Sequence, residues 1–351
     1  LSNDKVELTV ITNGGALASI VLREDAEKTN PLWNPRRNAR EAGTKPFGSA
    51  LGHFVCVDGF GPVSAEEREA GLPGHGEAHT LPWETKFSRK ESRTLTLTQS
   101  VKLPMVQEIF TRTIWLVDGE NVIHVQSELE NLMAFDRPVN WAEHATIGSP
   151  FLAPSVTVVD MPAHRAKTRA HAPSKGGAQP HRLASFQDFQ WPNAPGVDGK
   201  KIDVRAAPAK IDSLDHTTCL LDPSRPLVYV TAINTSKRLI VGYMFRRADF
   251  PWLQSWEHYP SDGRMARGLE FSTQPFDVPR REAIGTGTMF DAPAYRWLPA
   301  KSKIESRYVM FYSRVPQGFH KVDDVKFEGG RIVIEDRKAK KRVTLTASLP
   351  L

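Results

Sequence analysis

Two histidines and two carboxylates sit close together in Gly71-Leu-Pro-Gly-His-Gly-Glu-Ala-His-Thr-Leu-Pro-Trp-Glu84. Gly74 and Gly76 flank His75, so the backbone there can take turns that side chains resist. Helical periodicity is absent, and His75 and His79 are not a pair on a helix face. A third histidine, His144, lies in Asn140-Trp-Ala-Glu-His-Ala-Thr-Ile-Gly-Ser-Pro-Phe-Leu152. Glu270 lies in Gly268-Leu-Glu-Phe-Ser-Thr-Gln-Pro-Phe276. Imidazole and carboxylate are suited to proton transfer near neutral pH when they converge on one substrate. Each residue also has a plain structural reading: a solvated loop histidine, a satisfied histidine at a strand end, or a strand carboxylate paired with Arg264 or Arg267. His53, Asp58, His75 and His79 are of types that bind zinc, but their spacing matches no ligand frame. No metal and no cofactor is expected.

The elements that must position these groups are strands. Val6, Leu8 and Val10 alternate with Glu7 and Thr9, and Leu95 and Leu97 alternate with threonines. Ile123, Val125 and Leu129 alternate with His124, Gln126 and Glu128, which turns His124 away from the apolar side. Asp118-Gly119 marks one hairpin turn and Gly329-Gly330 another, with Val343-Thr-Leu345 as a third strand of a C-terminal meander. Helices are minor: Asn34 to Ala42, and Ser64 to Ala70, where Ser64 and Glu67 form a capping box. The chain therefore reads as all-β, two large antiparallel sheets packed face to face in a single domain spanning 1–351. Residues 160–215 carry little strand signal and read as a long loop-rich segment.

Composition narrows the function classes. The net charge of +6 comes from scattered Lys and Arg. The basic run Arg337-Lys-Ala-Lys-Lys-Arg342 reads as a solvated turn, so no nucleic-acid partner is expected. No run of eighteen apolar residues exists, so no membrane span is expected. Cys56 and Cys219 sit in apolar runs and read as buried thiols. The first residue is Leu1, which leaves the compartment open between cytoplasmic and periplasmic or secreted. Oligomeric state is open as well.

Together the three site segments resemble the aldose 1-epimerase, or galactose mutarotase-like, superfamily. His75-Gly-Glu-Ala-His79 matches the His-Gly-Phe-Ala-Arg motif of its hexose-6-phosphate mutarotase branch at three of five positions. Val55-Cys-Val-Asp-Gly-Phe-Gly-Pro62 is similar to that branch's Cys-Trp-Pro-Trp-Phe-Gly segment, Asn140-Trp-Ala-Glu-His144 to the second-histidine segment, and Glu270-Phe-Ser-Thr-Gln274 to the base segment. Two arginines of the branch are missing, one near Ala50 and one at His79. Since a bidentate guanidinium is hard to replace, a neutral or uronic sugar is expected rather than a hexose phosphate.

The resemblance implies a β-supersandwich and a mono- or oligosaccharide ligand. It implies an isomerase that opens and recloses a cyclic hemiacetal, with Glu270 as base, His144 as acid and His75 bonding the ring oxygen. His79, Asp188, Trp256 and Gln274 are the expected substrate-binding residues, Asp188 through a loop folding over the site. The same fold also serves as a carbohydrate-binding module and in other carbohydrate enzymes, so the activity itself stays open at this point.

Overall fold

Alternation of apolar and polar residues becomes two large antiparallel sheets in the structure, a computed structural model that describes residues 1–43, 50–171, 179–209 and 212–351. In one sheet, His53–Val57 pairs with Trp141–Gly148, which pairs with Ala266–Gly268 and Glu270–Ser272. Trp252–Tyr259, Ser213–Leu221, Ala163–Thr168 and Asp188–Phe189 continue it on one side, and Leu17–Leu22 and Val6–Val10 on the other. The second sheet runs in the order Thr157–Asp160, Leu227–Asn234, Leu239–Arg246, Lys303–Arg314, Val122–Asn131, Glu108–Val117, Thr94–Leu103, Glu84–Glu91. This is the galactose mutarotase-like β-supersandwich. Its core fills the space between the sheets, where Val55, Leu253 and Phe271 meet Ile114, Val125 and Tyr308.

The expected helices form at Pro35–Ala42 and Ala65–Glu69, the latter closed by the Ser64–Glu67 capping box. A third, Arg280–Thr286, follows the Glu270 segment. The C-terminal meander is present as Asp324–Glu328, Arg331–Asp336 and Lys341–Thr346. It lies on the outer face of the second sheet, where Val325, Ile332 and Ile334 join Tyr229, Ile240 and Phe311 in a second apolar cluster. His124, on a strand of that sheet and turned away from its apolar side, is buried and bonded to Glu120.

Residues 160–215 depart from the loop-rich expectation. Ala163–Thr168 is a full strand of the first sheet, and Asn193–Pro195 and Lys201–Asp203 make a small hairpin. The apolar signal is weak because much of the anchoring is ionic: Arg182 pairs with buried Asp215 and Glu257 on two strands of the sheet. Residues 172–178 and 210–211 of this segment lie outside the described residues. Among the described residues, no helix is long and apolar enough to cross a membrane.

Candidate active site

Strand register builds the site as a row. Phe54 stands opposite His144 on one side. On the other, Gly268 opposite Thr146 and Phe271 opposite Glu143 put Glu270 beside His144. Gln254 flanks Glu270 in turn. Because side chains alternate across a strand, this row faces away from the second sheet while Glu143 and Phe271 face the core.

The His144 ring is clamped. It stacks on Phe54 with centroids 4.2 Å apart and an interplanar angle of 21°. Its Nδ1 is 3.1 Å from Thr146 Oγ1, and its Nε2 is 3.4 Å from Glu270 Oε1. Gly268 makes room for that carboxylate: a Cβ there would lie 2.0 Å from Glu270 Oε1.

His75 arrives from a loop rather than from the sheet. Its own φ is +64°, a left-handed conformation that histidine tolerates, and the next residue, Gly76, has φ +76°. A Cβ on Gly76 would come 2.2 Å from Val57 O, so only glycine lets this turn lie against the His53–Val57 strand. The Gly61 N–H donates to His75 Nδ1 at 3.2 Å, and Cys56 Sγ is 3.5 Å from the same nitrogen. With Nδ1 accepting, the neutral ring carries its hydrogen on Nε2. The His75 and His144 rings meet edge to face at 5.2 Å.

These groups line a cavity of about 420 Å³, together with Trp33, Phe54, His79, His216, Trp256 and Asp277. Trp33 and Trp256 meet edge to face at 5.7 Å. Burial, reinforced by the negative charge of Asp277, pushes the Glu270 carboxyl well above its usual range. Burial likewise drives His144 well below the usual imidazole value, with the neighbouring His75 adding to it. His79 falls to about 4 for the same two reasons. Both shifts act in one sense, against charge on either member of the Glu270–His144 pair.

Of the expected residues, His75, His79, His144, Trp256 and Glu270 come together around this cavity. Two binding expectations fail. Asp188 lies on the surface, 55% exposed, where it pairs with Lys167 at the edge of the first sheet. Gln274 is fully buried, its Nε2 donating to Phe276 O at 2.5 Å, and neither residue lines the cavity. The four residues weighed as metal ligands do not converge. His53 faces the core with Glu143, and Asp58 pairs with Arg137 and Arg280.

The sequence reading missed Phe54, Trp33, His216 and Asp277. His216 Nε2 is 3.1 Å from Gln254 Oε1, and Arg169 Nη1 approaches its Nδ1 at 3.3 Å. Arg169 also pairs with Asp277 through both a side-chain and a backbone contact. A signal did exist for two of them: Asp277 directly follows the Glu270 motif, and Phe54 directly precedes the Val55-Cys56 segment.

No protein-family model matches the chain. No curated protein matches it either. Solved structures do. A galactose mutarotase-like protein from Clostridium acetobutylicum superposes with a TM-score of 0.61 at 11% identity, over 89% of this chain and 94% of that one. A candidate aldose 1-epimerase from Klebsiella pneumoniae gives 0.61 at 13%, over 89% and 77%. A TPR-domain containing protein from Parabacteroides distasonis gives 0.58 at 11%, over 93% of this chain but 48% of that one. At such identities the likeness is one of fold, and the fold of this chain is that of the galactose mutarotase-like proteins.

Proposed function

We propose that the protein is a sugar mutarotase, an isomerase of the aldose 1-epimerase type that exchanges anomers by acid–base ring opening. The observation that carries this reading is the Glu270–His144 pair at 3.4 Å in a cavity with aromatic walls, its carboxyl raised well above the ordinary range. A cyclic hemiacetal carries its hydroxyl and its ring oxygen on one carbon. An adjacent acid and base that share one proton match that arrangement.

From the form of the pair with Glu270 ionised and the proton on His144, Glu270 takes the C1 hydroxyl proton and His144 delivers its own to the ring oxygen, assisted by the Nε2–H of His75. This leaves the proton on Glu270 and His144 neutral. Rotation about the C1–C2 bond of the open aldehyde and reversal of the two transfers give the other anomer. A carboxyl raised toward neutrality is a stronger base than an ordinary one, and each positioned transfer is worth typically about 10²–10⁴-fold. With the proton on Glu270 and His144 neutral, the same pair serves the reverse roles, which ring closure requires. His79 and Trp256 contact the sugar from the cavity wall. Asp277 keeps the carboxyl from ionising too readily, and Arg169 limits that effect.

Polarimetry or NMR exchange spectroscopy over a panel of aldoses tests this directly. The expected result is saturable acceleration of anomer exchange for at least one aldose. Exchange at the spontaneous rate for every aldose that binds overturns the proposal and leaves a sugar-binding protein.

A further inference from the structure

His216, Trp256 and Asp277 line the cavity of the Glu270–His144 pair on one side and a second cavity on the other. The second measures about 890 Å³, against about 420 Å³ for the first. A first cavity of that size already falls within the range of about 300–1,000 Å³ that small-molecule sites occupy. Anomer exchange needs nothing from the second.

The walls of the second cavity indicate what it would hold. Phe186 and Phe276 stand with ring centroids 6.5 Å apart. His171 and His181 stack at 3.8 Å, and Gln179 and Glu282 add hydrogen-bonding groups. Arg169 is the one Lys or Arg among the described residues lining it, and its guanidinium is committed to Asp277 and His216. Ring faces and polar groups, with no unneutralised Lys or Arg among the described residues, suit a neutral glycosyl unit. They do not suit a phosphate, which calls for charge-assisted contacts.

We infer that the two adjoining cavities, which share His216, Trp256 and Asp277, together take a reducing oligosaccharide, with its reducing-end residue at Glu270 and His144 and the next glycosyl residue beyond Trp256 in the second cavity. This rests on the anomer-exchange reading for its first half only. The two can fail separately.

The experiment compares glucose and galactose with maltose, lactose, cellobiose and maltotriose, for both exchange rate and calorimetric affinity. Wild-type protein and Ala170→Trp are measured, Ala170 being an exposed residue on the wall of the second cavity alone. At least one oligosaccharide should be favoured over its reducing-end monosaccharide by about tenfold, the size of one aromatic or hydrogen-bond contact. Ala170→Trp should abolish that preference and leave monosaccharide values unchanged. If no aldose is exchanged but the oligosaccharide still binds about tenfold tighter and loses this in Ala170→Trp, the extended cleft stands and the mutarotase reading falls. Equal treatment of short and long sugars by the wild type overturns the inference, as does a parallel loss for both in Ala170→Trp.

Discussion

Glu143 and His144, adjacent on one strand, belong to two histidine–glutamate pairs on opposite faces of the sheet. Facing the core, Glu143 accepts from His53 Nε2 at 2.9 Å, from Arg112 Nη2 at 2.8 Å and from Trp141 Nε1 at 3.2 Å. Burial raises its carboxyl, but Arg112 and these hydrogen bonds outweigh burial and hold it below the usual range. Facing the cavity, Glu270 meets His144 at 3.4 Å, among the described residues no arginine is ion-paired to it, and burial prevails over the more distant Arg169. The difference lies in the surroundings and not in the residue types. A saturated pair is part of the scaffold, whereas an unsaturated pair keeps a proton to exchange.

The comparison breaks first at Glu143. Glu143→Gln leaves the Arg112 guanidinium buried without its counter-charge, and the cost of breaking such a pair is about 3–5 kcal/mol. Urea or thermal unfolding should show this loss. A change within about 0.5 kcal/mol, the size of an ordinary surface substitution, would show the core pair to be dispensable. Glu270→Gln and His144→Asn should do the opposite, keeping the fold and lowering anomer exchange by about 10²-fold or more with modest change in sugar affinity. Loss of stability and binding together in both variants would make this pair structural as well.

The two pairs also mark how far the sequence could be read. The fold was legible because the alternation at 94–98 and 123–129 and the turns at Gly119 and Gly329-Gly330 state it locally. His75, His144 and Glu270 were legible as candidates because their neighbours resemble a known pattern. Alternation does not show which face of a strand is covered later in the chain: His124 turns away from the apolar side, yet it is buried and lines a cavity with Leu349, Pro350 and Leu351 at the end of the chain. Nor could the Ala163–Thr168 strand be seen, since its buried positions mix with His164, Arg165 and Lys167 and its place in the sheet is set by backbone pairing with Ser213–Leu221, distant in sequence. Asp188 was drawn in by the aromatic residues around it, and only the fold shows that Lys167 holds it at the surface.

A smaller effect is expected where glycine makes room for the reactive carboxylate. Gly268→Ala places a methyl group against Glu270 Oε1, and the carboxylate has to shift away from His144. Displacements of this order reduce the benefit of pre-positioned groups, so exchange should fall by about tenfold, mainly in kcat. Unchanged kinetics would mean that the separation in this pair is not what the reaction uses.

The smallest effect distinguishes the pairs by sign. The folded state raises the Glu270 carboxyl, so burial costs nothing below its unfolded value of about 4.3, where both states hold the proton. As pH rises, the unfolded chain releases that proton and the folded protein retains it, so stability falls until the folded value is passed. Glu270→Gln removes this penalty. It should match the wild type near pH 4 and exceed it increasingly as pH rises toward 7. Glu143, held low, works in reverse: its contribution is present above the unfolded value and is lost as pH falls through the folded one. The deficit of Glu143→Gln should therefore be largest at neutral pH and shrink in acid. Urea denaturation of the three proteins from about pH 2 to pH 8 reads both slopes, and slopes of the same sign would erase the distinction between the scaffold pair and the cavity pair.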